Sequence, residues 1–219
     1  MASSQHEDQR VGIFIDTQNM YYSARYLFGR KVSFTSIVED AVAKRRLIRA
    51  IAYVVSTKGQ EEQPFFEALQ KAGIELREKE LMEYSSGQKK ADWDVGLAVD
   101  VIRMLDMLDV VVIVSGDGDF QPLIEYAKSR GRIVEVMSFR ETTSGKIPEA
   151  ADRYVNLSDD KKRYLLGGLR LKSAKAQEDV RTALERSTDS PEGVSAPGAL
   201  KRKPSAEPPE ERRRRRLSF

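Results

Sequence analysis

The chain of 219 residues contains no cysteine, one histidine and one tryptophan. Without cysteine there are no disulfides, thiolate nucleophiles, iron–sulfur clusters or thiolate zinc sites. His6, the lone histidine, sits in the polar leader MASSQHEDQR, and termini of that kind fray. A Ser-His-Asp triad, a His-ligated zinc and a histidine general base are therefore effectively excluded. Long apolar runs are missing as well. No stretch reaches the roughly 18 uncharged apolar residues of a membrane helix, and the N-terminus lacks a signal-peptide core, so the sequence reads as soluble and cytoplasmic. An enzyme made from this inventory must work with carboxylates, Lys, Tyr or Ser, aided by an oxygen-ligated metal ion.

A large excess of one charge is also absent, with 37 Lys and Arg against 34 Asp and Glu, net +3. That excess is local. After Ser190 there are eight basic residues and four Glu, a surplus of +4 that includes EERRRRR at 210–216, whereas residues 1–190 hold 29 basic and 30 acidic residues. The folded part is thus close to neutral, and the basic character belongs to the tail.

What is present is a regular alternation. VGIFID (11–16), IAYVVS (51–56), IELREKEL (74–81), DVVVIVS (109–115), GRIVEVMSF (131–139) and RYVNLS (153–158) read as strands. Helical periodicity fills the gaps, at about Asn19–Phe28, Thr35–Ala43, Gln60–Ala72, Asp92–Leu108 and Asp119–Ser129. Gly73 and Gly131 stand where helix-terminating glycines belong. Such alternation predicts βαβ units in a mainly parallel, doubly wound α/β sheet of five to six strands. The expected organisation is a disordered leader over 1–10, a domain over 11–157, a peripheral helical extension over 158–187 and a disordered basic tail over 188–219. The tail has almost no apolar surface to offset its ordering entropy.

Open α/β sheets gather functional groups beyond the carboxyl ends of their strands, at the switch in strand order. Asp16 ends the first strand, and Asp117 and Asp119 follow the most apolar strand, in SGDGDF. If those strands are neighbours, three carboxylates converge. Asp119 is equally suited to capping the next helix. Asp92 and Asp94 open a long apolar helix, where acids complement the dipole. Asp94 shares a face with Leu97, Ala98 and Val101, the stripe aimed at the sheet, while Asp100 points about 120° away, toward the rim of the site. Clustered carboxylates repel one another unless a cation neutralises them. Hard ions such as Mg²⁺ or Mn²⁺ suit oxygen ligands and support phosphodiester hydrolysis without histidine.

Three blocks, FIDTQNMY (14–21), KKADWDVGLAVD (89–100) and SGDGDFQPLIEYAKSRG (115–131), resemble the signature segments of NYN domains, specifically the LabA/DUF88 group of the PIN-like ribonuclease superfamily. The resemblance spans about residues 11–157. It implies a PIN-like, Rossmannoid three-layer sandwich and a four-acid, metal-dependent nuclease centre. Carried over by position, Asp16, Asp94, Asp117 and Asp119 become the catalytic, metal-binding acids. Asn19 supports the first block, Asp100 trails the second, and Ser115 is a small hydroxyl beside the acids. Trp93 replaces the small or apolar residue usual in the second block, and Asp92 is an extra acid; neither removes a ligand.

The leading expectation is a Mg²⁺- or Mn²⁺-dependent ribonuclease, with Lys89, Lys90 and Arg25 as candidate phosphate contacts. RNA, single-stranded or structured, is the expected partner, with no membrane partner, and a homodimer is admitted. The alternative is a non-catalytic RNA-binding or regulatory protein whose arginine run supplies the attraction. A phosphatase using Asp117 as nucleophile ranks lowest, because aspartyl-phosphate enzymes carry that motif after the first strand rather than the fourth.

Overall fold

Strict alternation along the central strands builds two cores on one sheet. In a computed structural model of the protein, residues 6–57, 62–83, 89–90 and 92–168 are described. The N-terminal half comprises β1 (Arg10–Asp16), α1 (Thr17–Phe28), β2 (Arg30–Val32), α2 (Phe34–Val42), β3 (Arg46–Ser56), α3 (Gln63–Lys71), β4 (Glu75–Glu80), β5 (Met82–Glu83) and β6 (Lys89–Lys90). The remainder comprises α4 (Asp94–Met104), β7 (Val110–Val114), α5 (Gln121–Ser129), β8 (Ile133–Ser138), α6 (Lys146–Ala150), β9 (Arg153–Asn156), α7 (Lys161–Tyr164) and β10 (Leu165–Gly168).

The main sheet has the order β4-β3-β1-β7-β8-β9, with every pairing parallel. Val11, Ile13 and Ile15 of β1, with Val110, Val112 and Val114 of β7, face α1, α2 and α3. Phe14, Val111 and Ile113 face the opposite way, against Leu97 and Val101 of α4 and Ile124 of α5. The result is a three-layer α/β sandwich of the expected kind. The chain winds outward from β1 through β3 to β4, then crosses to β7 and winds the other way, so the switch in strand order lies between β1 and β7. Gly73 and Gly131 adopt φ of 76° and 77°, the left-handed turn that ends α3 and α5 just before β4 and β8. Among the described residues no helix is long and apolar enough to cross a membrane.

The C-terminal extension departs from the sequence reading. The stretch after Leu157, expected to be helical, is helical over Lys161–Tyr164 and then extends as β10, antiparallel to β2. Leu165 is buried in the same core as Val32 and Phe34, and a strand satisfies the open edge of β2 where a Leu-Leu-Gly-Gly helix would be poor. Residues 169–187 of that extension and the basic tail lie outside the described residues.

A charge that no sequence pattern singles out, Arg45 of AKRRL, is buried. Its guanidinium makes two hydrogen bonds to the Glu135 carboxylate of β8, at 3.0 and 2.9 Å. It also donates to the carbonyls of Ala41 and Val42, at 2.6 and 3.2 Å. The turn that sends Arg45 inward holds Ala43 and Lys44 at φ of 46° and 67°, a conformation that costs non-glycine residues about 1–2 kcal/mol each.

Candidate active site

Asp16 ends β1 and caps α1, its Oδ1 accepting the Asn19 N–H at 3.1 Å. The Ser115 hydroxyl, just beyond β7, donates to Asp16 Oδ2 at 3.1 Å and accepts the Asp117 N–H at 3.2 Å. One hydroxyl therefore ties the ends of the two strands that flank the switch point. Asn19 adds a second tie: it is buried, and its Oδ1 accepts the Gly116 N–H at 3.0 Å. Its Nδ2 is a buried donor without a protein partner.

The glycines of SGDGD have a steric reason. A Cβ at Gly116 would lie 2.9 Å from the Thr142 carbonyl oxygen, and one at Gly118 would lie 2.9 Å from the Ser144 hydroxyl. The loop after β8 thus packs directly onto the acid-bearing turn. That turn is closed by Asp117, whose Oδ1 accepts the Asp119 N–H at 3.0 Å, leaving Oδ2 of Asp117 for other work.

Asp94 is the first residue of α4, and Trp93 seats it. The indole N–H donates to the Val54 carbonyl of β3 at 2.9 Å, and a Cβ at Gly96 would come within 2.5 Å of the indole ring. This fixes the N-terminus of α4 on the carboxyl end of the sheet, with Tyr53 tilted against the same ring at 5.4 Å.

The four acids are electrostatically one group. Burial raises Asp94 to about 6, helped by the charges of Asp16, Asp92 and Asp119. Burial likewise raises Asp117 to about 7; the Asp119 N–H opposes this, and Asp94, Asp119 and Asp16 reinforce it. Asp16 is also raised, chiefly by burial, against hydrogen bonds from Asn19, Ser115 and Gln18. Between the ordinary carboxylate pKa of about 3.9 and these raised values, the folded protein binds more protons than the unfolded chain. These acids therefore cost stability progressively as pH rises from about 4 to about 7. In EDTA, Asp117→Asn is expected to raise the melting temperature at pH 8 by about 3 °C or more and to leave it unchanged at pH 4. Calorimetry showing the same shift at both pH values would contradict the coupling.

Asp100 and Arg25, also predicted for the site, are engaged by other partners. Asp100 accepts from the Tyr53 hydroxyl at 3.1 Å and from Arg77 at 3.3 Å. Arg25, two turns along α1, donates to the Tyr21 hydroxyl at 2.7 Å. Lys89 and Lys90 form β6, but their side chains lie outside the described residues. Among the described residues no set of three or more His, Cys, Asp or Glu side chains forms a ready metal-holding group. Asp16 and Asp94 are half-buried and Asp119 is exposed, a degree of solvent access that suits an ion retaining several waters, as Mg²⁺ does.

A parallel sheet covered on both faces, with aspartates in electrostatic contact where strand order reverses, defines a PIN-like α/β protein. Residues 10–158 match the NYN domain family, and the chain belongs to that family, within its LabA group. It is 28% identical over 159 residues to the low amplitude and bright protein LabA of Synechococcus elongatus, covering 68% of this chain and 84% of that one. The crystal structure of VPA0982 from Vibrio parahaemolyticus, a protein of unknown function, aligns with a TM-score of 0.67 and 28% identity, covering 75% of this chain and 100% of that one.

Proposed function

We propose that the protein is a ribonuclease that hydrolyses RNA phosphodiester bonds with Mg²⁺ or Mn²⁺ held by Asp16, Asp94, Asp117 and Asp119. The observation that carries this reading is that acids from three separate segments of the fold lie close enough to feel one another: burial raises Asp94 and Asp117, and the charges of Asp16 and Asp119 reinforce both. Carboxylates brought together in this way repel one another, and a bound cation relieves that repulsion. Such an ion, when bound, polarises the phosphate and supplies a hydroxide-like nucleophile. The chain's own part is orientation. Ser115 and Asn19 hold the Asp16 carboxylate and the Gly116 backbone in register, and Trp93 holds Asp94 over the same crevice.

Full-length protein incubated with end-labelled single-stranded and hairpin RNA is expected to cleave in Mn²⁺ or Mg²⁺ and to stop in EDTA. Salt-sensitive RNA binding with no cleavage in either metal would replace this reading with that of a non-catalytic RNA-binding protein. Mn²⁺ is also expected to raise the melting temperature at pH 8 more than at pH 5, because protons compete for the same carboxylates. An equal rise at both pH values would place the ion elsewhere.

A further inference from the structure

A groove of about 440 Å³ runs beside the acid group, between the first turns of α1 and α3 and over the carboxyl end of β3. Its volume falls in the range of about 300–1,000 Å³ typical of small-molecule sites. The groove begins at Thr17 and Gln18, and Asp16 accepts hydrogen bonds from the N–H groups of Gln18 and Asn19. The groove and the acid site therefore share the first turn of α1.

Its lining is aromatic and basic together. Tyr21, Tyr22 and Phe65 contribute rings, and Arg25 and Lys31 contribute cations. Tyr21 is 37% exposed, so part of its ring is accessible from solvent. The Arg25 guanidinium lies 5.7 Å from the centre of the Tyr21 ring and is tethered to its hydroxyl. Its Nε is buried without a protein partner. Glu62 is the one acid among the described residues of the lining, and the Thr57 hydroxyl engages its carboxylate at 3.0 Å. Among the described residues, two cations thus accompany a carboxylate that already has a partner. A ligand matching this surface has a flat apolar face and a negative charge.

We infer that this groove binds one unpaired nucleotide of single-stranded RNA next to the bond held at the acids, its base stacked on the Tyr21 and Tyr22 side and its phosphate held by Arg25 and Lys31. The inference rests on the RNA-directed reading of the acid site and adds to it a strand preference. Stacking on protein rings needs a base free of its pairing partner, and it is tolerant of sequence because every base has a π-face. Paired RNA keeps its bases inside the helix and offers the groove only phosphate.

Fluorescence anisotropy of full-length protein in EDTA, with a labelled RNA octamer and with a blunt RNA duplex, tests this without any need for cleavage. Single-stranded RNA is expected to bind more tightly than duplex. Tyr21→Ala is expected to weaken single-strand binding about fivefold or more with no change in salt dependence, since stacking carries no counterions. Arg25→Ala and Lys31→Glu are expected to weaken it similarly and to lower the salt slope by about one for each phosphate no longer neutralised. Lys31 and Tyr21 are both exposed, so these forms retain the core, and the basic tail contributes equally to all of them. Single-strand affinities within twofold of wild type in all three variants would overturn the groove while leaving RNA binding intact. Failure of the wild-type protein to bind RNA would overturn both the groove and the function proposed above. Groove-dependent binding without cleavage in Mn²⁺ would support the groove and sink only the nuclease.

Discussion

Asp117→Asn is expected to lower metal-dependent RNA cleavage about 10³-fold, with the loss in kcat and no loss of RNA affinity. Asparagine is nearly isosteric here. Its Oδ1 still accepts the Asp119 N–H, and the Asp117 N–H still reaches Ser115, so the turn keeps its shape. What disappears is a negative charge at the centre of the acid group, and loss of a charge-bearing catalytic carboxylate typically costs 10²–10⁴-fold, about 3–5 kcal/mol of transition-state stabilisation. Affinity for RNA measured in EDTA is expected to stay level or improve, because one source of repulsion toward phosphate is gone. Asp16→Asn and Asp94→Asn belong to the same class. Asp106→Asn makes the same chemical change near the far end of the α4 segment, at a largely exposed site beside Arg130, and is expected to leave cleavage unaltered. Cleavage by Asp117→Asn within tenfold of wild type would remove Asp117 from the mechanism.

Much of this site is legible in the sequence because its elements are signalled locally. The β1 and β7 segments are nearly unbroken apolar runs, each followed by acids, and a parallel sheet with two covered faces is the arrangement that buries such runs. The switch-point rule then puts Asp16 beside Asp117. What the sequence does not show depends on residues distant along the chain. The bridging role of Ser115 requires knowing that β1 and β7 are adjacent in register. Trp93 stands out only as a departure from the family pattern; its hydrogen bond to β3 spans 39 positions. The pairing of β2 with β10 joins segments more than 130 residues apart, and short runs such as RKV and LLGG carry too little periodicity to reveal it. The glycines of SGDGD carry a signal of their own, since paired glycines beside acids mark a place where another segment comes close.

Arg45 is buried with no local pattern in the sequence to announce it, and it carries the largest expected effect on stability. Arg45→Met is expected to destabilise the fold by about 3–5 kcal/mol, a fall in melting temperature of about 10 °C for a chain of this size. The arginine and its partner are 1% and 2% exposed at the side chain, so removing the cation strands the Glu135 carboxylate inside the core. Arg153 lies 3.6 Å from the same carboxylate, but it is half in solvent and cannot replace a bidentate buried partner. Arg45 also satisfies the last carbonyls of α2, which would otherwise end without donors. The double change Arg45→Met with Glu135→Leu is expected to recover most of the loss, since well-packed apolar pairs replace buried ion pairs at little or no cost. Urea denaturation of the wild type, both single variants and the double gives the coupling energy directly. If the double variant is as unstable as Arg45→Met alone, the burden lies in the α2 carbonyls rather than in the stranded charge. If Arg45→Met costs less than about 1 kcal/mol, water reaches Glu135 and the pair is not the buried tie between α2 and β8 that the geometry describes.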